Sequence, residues 1–216
     1  MSRTEITRLP EKGNLDRGEL DRLLDSVHIA HFAVVASDGH PAVLPTAIAR
    51  DRDAILLHGS TASRWMRLLA DGRQTSLAVT AVDGLVVARS AFESSMHYRS
   101  AVLFGTCQIV DGDQKLAAVD LITDVLVPGR VAEIRRPTAR ELAATLVLRF
   151  TIDEWSLKIS ADWPDDPDDD VGGRAWAGVL TMRTEYIAAH ASPDLSTGIV
   201  IPPSVRRLLD RDSALS

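Results

Sequence analysis

The chain has 216 residues, 45% of them apolar and 25% charged, with a formal net charge of −6 and a mean hydropathy of +0.02. That composition can bury a core, which excludes a disordered or fibrous chain, and the acidic balance argues against a general nucleic-acid binder, because such affinity comes largely from Lys and Arg neutralising phosphates. A lone cysteine, Cys107, excludes an intrachain disulfide and an all-thiolate metal site. The basic residues are 21 Arg against 3 Lys, and arginine supplies a planar donor fork that suits phosphate. The first ten residues mix charges and lack the apolar centre of a signal peptide. No stretch approaches the ~18 uninterrupted apolar residues of a membrane span. A cytoplasmic protein with no membrane and no nucleic acid among its partners is expected.

Residues 1–13 are polar, broken by Pro10 and Gly13, and read as an N-terminal arm; 14–216 reads as a single domain. Residues 16–26 (DRGELDRLLDS) place Leu20, Leu23 and Leu24 at helical spacing, with Asp16 as N-cap and Glu19 where a capping box needs it. Residues 31–37 (HFAVVAS) form a short apolar strand ended by Asp38-Gly39, and 41–50 resumes as its hairpin partner. The strand 54–58 (AILLH) runs into Gly59-Ser-Thr-Ala-Ser63, which opens a helix over 63–70. Strands at 75–82, 85–92 and 100–110 follow, with Asp83-Gly84 between the first two as a hairpin signal. Helices are expected over 114–126 and 138–145, and strands over 146–152 and 151–159.

Residues 161–173 (ADWPDDPDDDVGG) contain six Asp with two Pro and two Gly and predict a mobile, solvated loop. A domain boundary there is the rival, but the ~43 residues beyond it are too few for an independent core. A strand over 176–190 and a helix over 202–209 complete the chain, and 184–216 forms a C-terminal extension. Many short strands spaced by turn signals argue for a β-barrel or sandwich with peripheral helices.

The segment His58-Gly-Ser-Thr-Ala-Ser63-Arg64 lies where a strand meets a helix. Gly59 would let backbone approach a ligand, Ser60, Thr61 and Ser63 offer hydroxyls, and Arg64 adds a bidentate fork at a helix start. This describes an anion or phosphate cradle; ordinary capping with a surface arginine explains the same residues. Met96-His-Tyr98-Arg99-Ser100 borders a pocket or forms a polar turn. Arg89 faces an anion or sits on the solvent side of its strand. Trp176-Ala-Gly178 permits close approach of a backbone or flat ring, or is a core or interface tryptophan. His28 and His31 lack further ligands for a metal, the Asp run lacks the Gly and Glu of a calcium loop, and no phosphate-loop or nucleophile-elbow motif is present. Cys107 is expected to be buried rather than reactive.

Taken together, HFAVVASDGHPAVLPTAIARD, LLHGSTASRWMRLL, LVVARSAFESSMHYRSAVLFG, DVLVPGR and WAGVLTMR resemble the pyridoxamine 5′-phosphate oxidase-like FMN-binding split-barrel family, in particular its flavin-nucleotide-binding and nitroimidazole-resistance-reductase branch. The resemblance covers roughly residues 18–183. It implies a mainly β fold, a six-stranded antiparallel split barrel with peripheral helices, working as a homodimer with FMN in clefts between subunits. It places Pro45, Thr46, Ala47 and Ile48 along the flavin ring, and Leu57, His58 and Gly59 in the stretch that follows. Ser60, Ser63 and Arg64 fall at the phosphate. Tyr98, Arg99 and Ser100 approach from the far side, and Trp176 comes from the partner subunit. The oxidases carry Lys where this chain has Trp65, and their C-terminal substrate-phosphate motif is not recognisable after Trp176.

The function so implied is an FMN-dependent oxidoreductase, a reductase passing hydride through flavin N5 to a small aromatic or heteroaromatic substrate, with His58 as proton donor. Deazaflavin- or haem-binding barrels and a non-catalytic flavin-binding sensor are the alternatives within the same fold.

Overall fold

The computed structural model describes residues 2–213, so the first residue of the arm and the last three of the C-terminal extension lie outside the described residues. Two antiparallel sheets share the chain. The larger, seven-stranded sheet runs β1 (Gly13–Asn14), β10 (Glu154–Ser160), β7 (Ser95–Gly105), β6 (Thr75–Val87), β2 (Ile29–Val35), β3 (Pro41–Ala47), with β11 (Gly178–Thr181) paired to the outer half of β6. The smaller, four-stranded sheet runs β4 (Ala49–Asp51), β5 (Ala54–Ser60), β9 (Thr145–Thr151), β8 (Cys107–Val110). The chain passes between sheets at Ile48, Thr106 and residues 152–153, and Ile48 and Ile152 are buried at two of these corners. This is a split barrel. Its strand count exceeds six because short strands such as β1, β4 and β11 extend the sheets.

Alternation sets the core. In β2 the even residues Ala30, Phe32 and Val34 are buried and the odd ones face outward, as a half-buried strand demands. Phe32 meets Phe150 edge to face, centroids 6.0 Å apart, among Leu57, Leu77, Leu103 and Leu148. Helix α1 (Arg17–Ser26) closes one end of the barrel with Leu20, Leu23 and Leu24. Helix α2 (Arg64–Ala70) follows β5. Helix α3 (Gly112–Leu126) covers the smaller sheet, Ala118 and Ile122 packing on Leu56 and Val147. Asp16 caps α1 by accepting from Gly18 N–H, but Glu19 bonds Arg22, so the expected capping box does not form there. A full box forms instead at α4 (Ala139–Ala144), between Thr138 and Glu141.

Three expectations are corrected. Asp83-Gly84 is not a hairpin turn: β6 continues through it, with a register shift between Val82 and Gly84. A Cβ at Gly84 would lie 2.6 Å from Leu180 O of β11, so this glycine admits a neighbouring strand rather than a reversal. The loop 161–173 is not freely solvated. The carboxylate of Asp166, 1% exposed, accepts from Arg89 N–H at 2.7 Å and Arg89 Nη1 at 2.8 Å, while α5 (Asp168–Val171) forms within it. Arg89 thus faces an anion supplied by its own chain. Finally, 184–190 is not a strand; regular structure after β11 resumes at α6 (Pro203–Ser213).

Candidate cofactor cleft

The candidate residues separate into two groups. Ala49 pairs with Leu56 across β4 and β5, and β3 ends one residue before the corner at Ile48. At that corner β3, which carries Pro45, Thr46 and Ala47, comes into contact with β5, which carries Leu57, His58, Gly59 and Ser60. Ile48 and Leu57 are buried, and His58 and Ser60 are exposed at the open end of β5. Ile48 N–H donates to His28 O. Thr46, two residues back, faces β2 in the same way, and Ala47 turns its N–H to the open side of the edge strand. Pro45 has no N–H to offer.

The turn into α2 commits some of its polar groups and leaves others available. Thr61 donates both its N–H and its hydroxyl to Ala144 O. Ser60 Oγ accepts from Ala62 N–H and Ser63 Oγ accepts from Met66 N–H, so each serine keeps its O–H as a donor. Arg64 is exposed, its guanidinium 5.3 Å from the Trp65 ring centroid, and no carboxylate pairs with it among the described residues. Two hydroxyls and a guanidinium thus stand ready for an anion. Gly59 also has a packing task. A Cβ there would lie 2.7 Å from Met66 Cγ, so the glycine lets α2 pack onto β5.

Tyr98, Arg99, Ser100 and Trp176 lie elsewhere. The row through Pro45 runs His31, Ala78, Val102, which sets β7 three strand spacings from β3, ~14 Å. Tyr98 and Ser100 share the outward face of the larger sheet. Arg99 points to the other side, where Nε and Nη2 bond the Asp83 carboxylate at 2.8 and 2.9 Å and Nη1 reaches Ser26. Its charge is already matched, and the Asp83 hydrogen bonds raise its pKa further. Trp176 is exposed, its ring folded over Gly178, where a Cβ would lie 2.8 Å from Trp176 Cζ2. The small residue accommodates the tryptophan's own ring.

Sequence reasoning missed Asp83, read as a turn, and His28. The Nδ1 of His28 is buried without a partner beside Ile48; its spacing to His31 suggested only a fragment of a metal site. The signal for Asp83 was present as apolar alternation that breaks phase at 83 yet resumes at 86. Cys107 is buried, and burial pushes its thiol up to about 12.

A sequence model described as pyridoxamine 5′-phosphate oxidase matches residues 16–159, and the chain belongs to this family. Among solved structures it is similar to the FAD and haem binding protein from Mycobacterium smegmatis, with 48% identity, a TM-score of 0.88, and coverage of 91% of this chain and 97% of that one. It is also similar to the flavocytochrome Anf3 from Azotobacter vinelandii, with 29% identity, a TM-score of 0.88, and coverage of 96% and 97%. A 5-nitroimidazole antibiotic resistance protein candidate from Bacteroides thetaiotaomicron shares the fold at 15% identity and a TM-score of 0.59, over 68% of this chain and 86% of that one. Comparison with curated proteins returns no match. Among the described residues no helix is long and apolar enough to cross a membrane.

Proposed function

We propose that this chain is a homodimeric redox flavoprotein that holds FAD in the cleft between 45–48 and 57–64 and carries haem as a second redox group. The observation that carries the reading is the β5–α2 turn, where Ser60, Ser63 and Arg64 keep unspent donors beside an edge strand. That donor set fits a phosphate: the guanidinium forms charge-assisted bonds and the serine hydroxyls complete the cradle. α2 has only seven residues, so the anchor rests on these side chains rather than on a long helix dipole.

A bound flavin supplies the hydride and electron transfer, and the chain's residues do the rest. Arg64, Ser60 and Ser63 fix the phosphate. Ala47 N–H points to the open side of the strand that would border the ring. His58, exposed beside them, is the local proton donor. Imidazole is the usual haem ligand, and His58, His97 and His190 are the histidines weighed for it. His97 Nε2 is already held by Asp162 O at 2.8 Å and His58 is given to the flavin cleft, whereas His190 is exposed and fits that role. FMN and FAD share the ring and the first phosphate, so the sequence reading of FMN names the same anchor. The 48% identical FAD and haem binding protein favours FAD. Reduction of a small aromatic or heteroaromatic substrate is the narrower activity we assign to the same cleft.

The separation of the two groups supports the dimer. A second copy would bring Tyr98, Ser100 and Trp176 to the 45–48 strand, and the exposed Ile29, Val35, Val43 and Val82 of the larger sheet offer that copy an apolar seat. The test is the absorption spectrum of the purified protein with chromatography of the released cofactor. Flavin bands releasing FAD, with a Soret band lost in His190→Ala, are expected. Release of FMN alone, without a Soret band even after haem addition, returns the reading to an FMN protein. A colourless protein that titrates with neither flavin overturns it.

A further inference from the structure

Both ends of the segment after β11 are fixed, and its middle stands open to solvent. Met182 N–H bonds Asp83 O. At the other end, buried Ser204 bonds the Glu133 carboxylate through its N–H and hydroxyl, and Arg207 Nη2 donates to Pro128 O at 2.8 Å. From Met182 to Ile201 every residue is exposed, and Leu195 N–H to Ser192 O and Ile199 N–H to Ser196 O are local turns within it.

Its composition contradicts solvation. Between Tyr186 and Ile201 the one Asp, Glu, Lys or Arg is Asp194, yet Ile187, Ile199 and Val200 are 85%, 58% and 70% exposed. An extended, charge-poor, apolar run held at both ends is built to be covered. The larger sheet carries the matching deficit. The outward residues of β2 and β3, namely Ile29, His31, Ala33, Val35 and, opposite, Pro41, Val43, Pro45 and Ala47, include no formal charge. Leu180 of β11 is half exposed and continues the same apolar surface into the segment.

We propose that residues 182–201 form a strap exchanged between two copies of the chain, each strap lying on its partner's apolar surface while both its ends stay on its own protomer. This rests on the dimer proposed above. The second copy is the occupant because one chain supplies both unmatched surfaces, the strap leaves from a strand of the sheet it would help to cover, and the lack of charge is that of a permanent interface. Twofold symmetry uses both surfaces twice and leaves neither open.

The experiment places benzoylphenylalanine at Ile187, and separately at Ile199, in the full-length chain, irradiates dilute protein, and maps cross-linked peptides. A covalent dimer joining the strap of one chain to the partner is expected. Sedimentation at twice the 23.5 kDa chain mass with cross-links only within one chain overturns the strap and leaves the dimer standing. Sedimentation at a single chain mass overturns both. The double variant Ile187→Asp, Val200→Asp should weaken self-association at least 10-fold with an unchanged circular dichroism spectrum; undiminished association overturns the strap.

Discussion

Arg64 and Thr61 stand three residues apart in one turn and differ in what they have left to give. Arg64 has no carboxylate partner among the described residues, while the Thr61 hydroxyl is committed to Ala144 O. Arg64→Ala should therefore weaken FAD binding 10-fold or more, since a hydrogen bond to a charged group is worth ~1.5–3 kcal/mol. Thr61→Val should leave flavin affinity within about twofold, and fluorescence titration of both variants separates them. Equal losses would mean that the turn's shape, not its free donors, governs binding. Residue types in this segment were legible in the sequence because Ser, Thr and Arg declare their chemistry. Which hydroxyl remained free was not legible, because the acceptor, Ala144 O, lies on an element about 80 residues away.

At the scale of elements, two short devices decide the local geometry. Gly84 lets β11 approach β6, so Gly84→Ala should push Leu180 aside and destabilise the fold by ~1–3 kcal/mol, read as a lower urea midpoint at constant slope. The second device is the cap of α4. Arg135 and then Thr138 hydrogen-bond Glu141 and hold it down to about 2. A depressed carboxylate contributes stability that is full above the ordinary glutamate value, ~4.3, and is lost as pH falls towards the folded value. The α4 cap should therefore loosen as pH falls between those two values, and Glu141→Gln should remove that part of the stability-against-pH profile measured by urea unfolding. Helices and most strands could be read from period and caps. The Asp83-Gly84 reading failed because the dipeptide that closes a hairpin is also what a bulge beside a close strand requires. The loop 161–173 was misread because composition reports six Asp, not that one of them meets Arg89.

For the whole molecule, the proposed dimer predicts that each cleft draws its two residue groups from two copies. In a heterodimer of an Arg64→Ala chain with a Trp176→Ala chain, one cleft carries both lesions and the other carries neither. Tandem-tagged heterodimers should therefore bind flavin at half stoichiometry with full affinity, whereas each homodimer is impaired. Weakened binding at every site would place the cleft within a single chain. The barrel class was legible from strand spacing, and the family from the order of its segments. The extra edge strands and the bare course of 182–201 were not, since they depend on partners that a one-dimensional pattern does not specify.

The pairing of β5 with β9 also has a consequence for synthesis. β4 offers β5 three residues on one side, and its long neighbour begins at Thr145, so a ribosome adding ~5–20 residues per second leaves Ser60 waiting roughly 4–17 s for its mate. During that interval the buried face of Ile55 and Leu57 has no second wall. The nascent half-barrel is thus a client for a chaperone, and the chain commits to its fold only when its third quarter has emerged.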